Sequence, residues 1–139
     1  SKWANKVKKV TNMSAMFLDS TFNGDIKGWQ TDSLTDMSCM FLNNNQFSQD
    51  ISNWNVSNVT KTFYMFANSS YDENLGKWAL GKNCATNGMF VTSPFLDNDT
   101  AYWPKMSKKQ KTSAKTRSEK LEMAISKAYN VDFDENWGW

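Results

Sequence analysis

The chain has 139 residues, 40% of them hydrophobic and 22% charged, which is enough for one domain with a real core. The net charge of +2 hides a basic stretch at residues 105–127, with eight Lys/Arg and two Glu, between regions where acids prevail, so the molecule as a whole is not a polycation. Histidine is absent, which removes the commonest general base and transition-metal ligand and argues against an enzyme.

No apolar run reaches the length of a membrane span, and no secretory leader is visible in a chain that starts at Ser1. Seven Trp, nine Phe, four Tyr and eight Met are a large apolar load, each worth about 1.5 to 3 kcal/mol when buried. Their spacing shows how they are covered. Met16-Phe17, Met40-Phe41, Met65-Phe66 and Met89-Phe90 recur at steps of 24, 25 and 24 residues. Seven residues before each Phe stand Val10, Leu34, Val59 and Asn83, and three further back Val7, Thr31, Val56 and Leu80. After it come Phe22, Phe47, Tyr71 and Phe95, then Asp25, Asp50, Asn74 and Asn98, and finally Trp29, Trp54, Trp78 and Tyr102. Four copies of a unit of about 24 residues are therefore present, and a unit that short buries its apolar face only by stacking on its neighbours.

Within a copy, the stretch around Asp-Ile-x-x-Trp reads as a short extended piece, expected to pair as a narrow parallel strand. Leu34, Met37, Met40 and Phe41 have the spacing of one helix face, which predicts a helical turn. The expected fold is α/β: a short leucine-rich-repeat-like solenoid of about four coils over residues 1–104. Like residues should form ladders in its core.

The motif text carries a resemblance. Val-Thr-Asn-Met-Ser-x-Met-Phe at Val10 to Phe17, and Phe-x-x-Asp-Ile-x-x-Trp-x-Val-Ser-Asn-Val-Thr at Phe47 to Thr60, resemble the BspA-type repeat of bacterial surface proteins and Mycoplasma lipoproteins, over roughly residues 7–103. The resemblance implies a non-catalytic module for adhesion or binding of protein or glycan, displayed on a cell surface, secreted or on a virion. A structural subunit of a larger assembly, anchored by the C-terminal segment, is the alternative. The copies decay toward the C-terminus, where Thr62, Asn83 and Asp99 replace Met, Val and Ile.

Residues 105–115 have no apolar periodicity and read as an exposed basic linker. Residues 116–139 read as a capping helix, started by a Thr116/Glu119 capping box, followed by an aromatic tail. That helix is expected to pack on the open end of the solenoid.

Candidate functional residues are those the repeat does not explain. The turn residues Asn43, Asn44, Asn45 and Gln46, the segment Ser69 to Glu73, and the aromatics Trp3, Tyr64, Tyr71, Trp103, Phe133, Trp137 and Trp139 are candidate binding residues. Lys105, Lys108, Lys109 and Lys111 are candidates for contact with an anionic surface, set against a plain solvated linker. No nucleic acid, cofactor or catalytic residue is expected. Asp25 and Asp50 recur with the repeat and read as turn-capping acids, not as a hydrolase pair. Asp97-Asn98-Asp99 and Asp132-Phe133-Asp134-Glu135 lack the glycine and twelfth-position Glu of a calcium loop, so no metal is expected. Cys39 and Cys84 occupy different slots two coils apart, roughly 10 Å at a coil spacing of ~4.8 Å, beyond disulfide reach.

Overall fold

A computed structural model of the chain describes residues 6–133 and Trp137; Trp3, Asp134, Glu135 and Trp139 lie outside them. The four copies stack in sequence order, and their like residues do form ladders. Phe17, Phe41, Phe66 and Phe90 follow one another with ring centroids 5.7, 5.7 and 6.1 Å apart. Phe22, Phe47, Tyr71 and Phe95 make a second ladder at 6.3, 5.5 and 6.2 Å. Trp29 stacks on Trp54 at 6.2 Å. The buried indole N–H groups of the repeats have acceptors one copy back or within their own copy: Trp54 donates to the Ile26 carbonyl, Trp78 to that of Ile51, and Trp103 to that of Phe95. Large rings and Met fill the core, and the amphipathic tryptophans leave no polar atom stranded there.

The expected parallel strands are not there. Among the described residues no strand forms, and β-type pairing is confined to single parallel bridges at Asn12–Asp36, Asp36–Lys61 and Lys61–Ala85, with one more at Ala79–Lys105. The chain is therefore not the α/β, strand-containing leucine-rich-repeat-like solenoid that the pattern predicted. The helical turns expected at the Met-Phe stretches are absent as well. In their place each Met-Ser-x-Met-Phe stretch is a run of tight turns, closed by Met16 N–H to Met13 and Leu18 N–H to Ala15 in the first copy. The residue at x has a positive φ in every copy: Ala15 at 58°, Cys39 at 60°, Tyr64 at 53° and Gly88 at 69°. Four residues on, Asp19, Asn43, Asn68 and Thr92 are also left-handed. A right-handed helix cannot pass through such residues, and a strand cannot run more than one bridge beside them.

The remaining amides explain how a stack without a sheet holds together. In the first copy the N–H groups of Met13, Ala15, Phe17 and Asp19 donate to the carbonyls of Asp36, Ser38, Met40 and Leu42, each at 2.9 Å. The intervening Met16 and Leu18 close their own turns, and Ser14 donates to the Asn12 side chain. Alternate amides thus serve the neighbour and the turn. The second and third copies repeat the scheme, from Met37, Cys39, Phe41 and Asn43 and from Thr62, Tyr64, Phe66 and Asn68.

The second half of the fourth copy holds two one-turn 3-10 helices, Pro94–Leu96 and Thr100–Tyr102. Residues 105–115, expected as an exposed linker, contain helix α1 (Lys108–Lys115), which buries Gln110 and Ala114 against the fourth copy. Its start carries a capping box formed by Ser107 and Gln110. Helix α2 (Glu119–Tyr129) is capped by Ser118 rather than by Thr116, and ends at Asn130 in the left-handed conformation. It does not close the end of the stack. Its Leu121 and Ile125 lie along the flank, in a second apolar cluster with Cys39, Leu42, Tyr64, Ala67 and Val91 from three copies. The helix that covers the end is α1.

Candidate interaction surfaces

The Asp-Ile-x-x-Trp side of the stack is polar and open. In the first three copies the Asp or Asn slot begins a small turn in which the side chain accepts the amide two residues on: Asp25 from Lys27, Asp50 from Ser52 and Asn74 from Gly76, at 3.1, 2.9 and 2.8 Å; in the fourth, Asp99 takes that part with Ala101. The hydrogen bonds from Ser52, with smaller help from Lys77 and Lys27, hold the Asp50 carboxyl below the usual aspartate range, so it is ionised at neutral pH. Across the second, third and fourth copies, an open groove is lined by Asp50 and Ser52, by Glu73, Asn74, Gly76 and Lys77, and by Ala101. The groove offers carboxylates, an amide, a hydroxyl and one ammonium. That set suits hydrogen bonding to hydroxyls or to a peptide backbone.

The candidates singled out in the sequence are dispersed, and most of them hold the fold. Tyr64 is buried and tethers α2: its hydroxyl donates to Glu122 at 2.5 Å and accepts the Ser118 amide at 2.9 Å. Arg117 closes the cluster with hydrogen bonds to both Glu122 oxygens and to the Trp137 carbonyl. Tyr71 belongs to a ladder, and its hydroxyl bonds the Gln49 carbonyl. Trp103 and Trp137 are buried. Asn44 is fully buried: its amide reaches the Phe17 and Phe22 carbonyls and its oxygen accepts from Gln46 and Phe47. Asn43 is a left-handed turn residue joined to Asn68. Only Asn45 and Gln46 of that set present exposed side chains, and they do not face a groove with the others. Lys105, Lys108 and Lys109 are exposed and Lys111 is half-buried on α1. Trp139 lies outside the described residues.

Burial raises both thiols, Cys39 to about 12 with help from Asp36 and Cys84 to about 11, and neither is in a disulfide. Among the described residues no cluster of three or more His, Cys, Asp or Glu is arranged to hold a metal ion. No helix among them is long and apolar enough to cross a membrane.

Of the groove's residues the sequence points to Glu73, within the Ser69 to Glu73 segment, and not to Lys77. The residue before each Trp is Gly28, Asn53 and then Lys77, and that variation on an otherwise fixed frame was the available signal.

A family model described as "Mycoplasma protein of unknown function, DUF285" matches residues 1–103. The chain belongs to this family. The DUF285 match ends where the fourth Trp/Tyr slot ends, so it covers the stacked copies and the groove, while α1 and α2 lie beyond it. No curated protein and no solved structure matches the chain.

Proposed function

We propose that the chain is a non-catalytic binding module of the BspA-type repeat class, displayed outside a cell and engaging a protein or glycan through its polar flank. The observation that carries this reading is the Asp50–Glu73–Lys77 groove, where carboxylates, an amide, a hydroxyl and an ammonium converge on an open surface. Most of the aromatic residues do not compete with it, because the ladders, the Tyr64 tether and the buried Trp103 and Trp137 consume them, leaving Tyr102 and Tyr129 exposed. A second reading, a structural subunit anchored through its C-terminal segment, has less support, since α1 and α2 bury their apolar faces on the chain's own copies.

The test is a screen of the intact chain against a glycan array and a panel of cell-surface proteins, repeated with Glu73→Ala/Lys77→Ala. Both side chains are exposed, so folding should be unchanged. Binding is expected to fall at least about tenfold in the double variant, the loss of one or two charge-assisted hydrogen bonds. Binding that survives the double variant but disappears on Lys108→Ala/Lys109→Ala would sink the groove as the site.

A further inference from the structure

The chain contains two Asn-Gly pairs, Asn23-Gly24 and Asn87-Gly88, and the fold treats them in opposite ways. In an Asn-Gly pair the backbone amide that follows the asparagine reaches its side-chain carbonyl carbon freely, because glycine has no Cβ to obstruct the approach. Two conditions then govern attack: the amide nitrogen must be unengaged, and the side-chain oxygen needs donors for the negative charge it takes on. Asn23-Gly24 meets both. Among the described residues the Gly24 amide donates no hydrogen bond. That freedom belongs to the slot and not to its place in the stack, since the equivalent amides of the second and third copies, Gln49 and Glu73, donate none either. The Asn23 Oδ1 accepts the Ser48 amide at 2.9 Å, Gln49 Nε2 at 3.1 Å and the Ser48 hydroxyl at 3.4 Å, all from the next copy. A backbone amide can only donate, so Ser48 fixes which side of the carboxamide is oxygen. Asn23 is exposed and Gly24 half-buried, so water reaches the pair. At Asn87-Gly88 both conditions fail: the buried Gly88 donates its amide to the Ser113 carbonyl at 2.9 Å, and among the described residues no donor reaches the Asn87 side-chain oxygen.

We propose that Asn23 is a self-modification site, at which the turn of the second copy promotes deamidation of the asparagine to aspartate or isoaspartate. The Gly24 nitrogen bonds to the Asn23 side-chain carbon and gives up its proton, while Ser48 and Gln49 hold the charge that develops on Oδ1. The bond from that carbon to Nδ2 then breaks, and the nitrogen leaves as ammonia. Water opens the resulting succinimide at either carbonyl: opening at the former side-chain carbonyl gives aspartate, and opening at the backbone carbonyl gives isoaspartate. Nothing is oxidised or reduced, and one negative charge is added two residues from Asp25 on the polar flank. An aspartate at this place still accepts all three donors, so the junction between the first two copies outlasts the change.

The experiment keeps the unsubstituted chain in warm, mildly alkaline buffer, folded and in parallel unfolded in urea, and follows residues 23 and 87 by peptide mapping and mass spectrometry. In the folded chain Asn23 should convert at least about tenfold faster than Asn87, a gap that closes in urea. Gln49→Ala takes one donor from Oδ1 and should slow conversion of Asn23 about threefold in the folded chain, with the rate in urea unchanged. Near-ultraviolet dichroism checks that this variant folds, and Ser48→Ala, which removes the hydroxyl donor, replaces it if it does not. An Asn87 that keeps pace with Asn23 in the folded chain overturns the proposal. So does an Asn23 that converts more slowly folded than in urea, since the hydrogen bonds would then be protecting it. A folded donor variant that converts as fast as the parent chain removes Ser48 and Gln49 as promoters, and the proposal with them.

Discussion

At the scale of single residues, the left-handed slots decide what the repeats can be. An L-residue at positive φ costs about 1 to 2 kcal/mol, yet Ala15, Cys39 and Tyr64 occupy the slot without being glycine. The surrounding hydrogen bonds over-determine the turn. Gly88 has a further reason: a Cβ there would come within 2.3 Å of the Tyr64 ring that rests on it. Gly88→Ala combines overpacking with the backbone term and is expected to lower stability by about 2 to 4 kcal/mol, read as a shift of the urea midpoint. Gly24→Ala, where only the end of the Phe22 ring stands in the way and φ is not left-handed, should cost clearly less. None of this was legible beforehand, because Ala, Cys and Tyr do not announce a positive φ. The same holds for Asn44. In the sequence it is one of four polar turn residues, and only the structure shows that the one extra residue of the second copy is absorbed there by a buried amide bonded on both sides.

At the scale of elements, α2 depends on a buried ionic contact. Burial alone would raise the Glu122 pKa, but hydrogen bonds from Arg117 and Tyr64 outweigh it and hold the carboxyl below its ordinary range. In the folded chain Glu122 therefore binds its proton less readily than in the unfolded chain. Its stabilising effect is complete above the unfolded Glu value near ~4.3 and is lost as pH falls through the lower folded value. Melting temperature should consequently fall on acidification below about pH 5. Glu122→Gln should be less stable at neutral pH and flatter across that range; thermal scans of both chains from neutral to acid pH check this. A parallel fall in the two chains would remove Glu122 as the titrating group. The existence of α2 was legible from its apolar spacing. Its place was not, because the partner surface on Cys39, Tyr64 and Val91 comes from three copies and appears only once they are stacked. Helix α1 was hidden for a different reason: a lysine-rich stretch with two buried side chains has almost no apolar period, and its capping box was the signal.

At the scale of the whole molecule, the repeat period and its aromatic ladders were readable, since they rest on side chains that recur. The strands were read in error, since a period of 24 or 25 with alternating polar residues fits both a leucine-rich-repeat coil and this succession of turns. Stability should be graded along the stack. Phe66 lies at its centre, stacked against Phe41, Tyr71 and Phe90 and fully buried. Phe66→Ala should cost about 3 to 5 kcal/mol. Phe22→Ala, where the ring is only half-buried, should cost less than half as much, and equal losses in chemical denaturation would contradict that grading.

The extra residue between Phe41 and Phe47 has a consequence for how such a chain grows. The ladders, the bridges and the left-handed slots all pass across it without losing phase, since the Asn44 amide fastens both flanks of the longer turn. What the chain keeps constant from floor to floor is the set of fastening points, and the number of residues strung between Phe41 and Phe47 is free to change by one. A duplicated segment of either length would thus seat itself in step with the floors above and below, and the height of the tower becomes a matter of gene copying, with no redesign of its rooms.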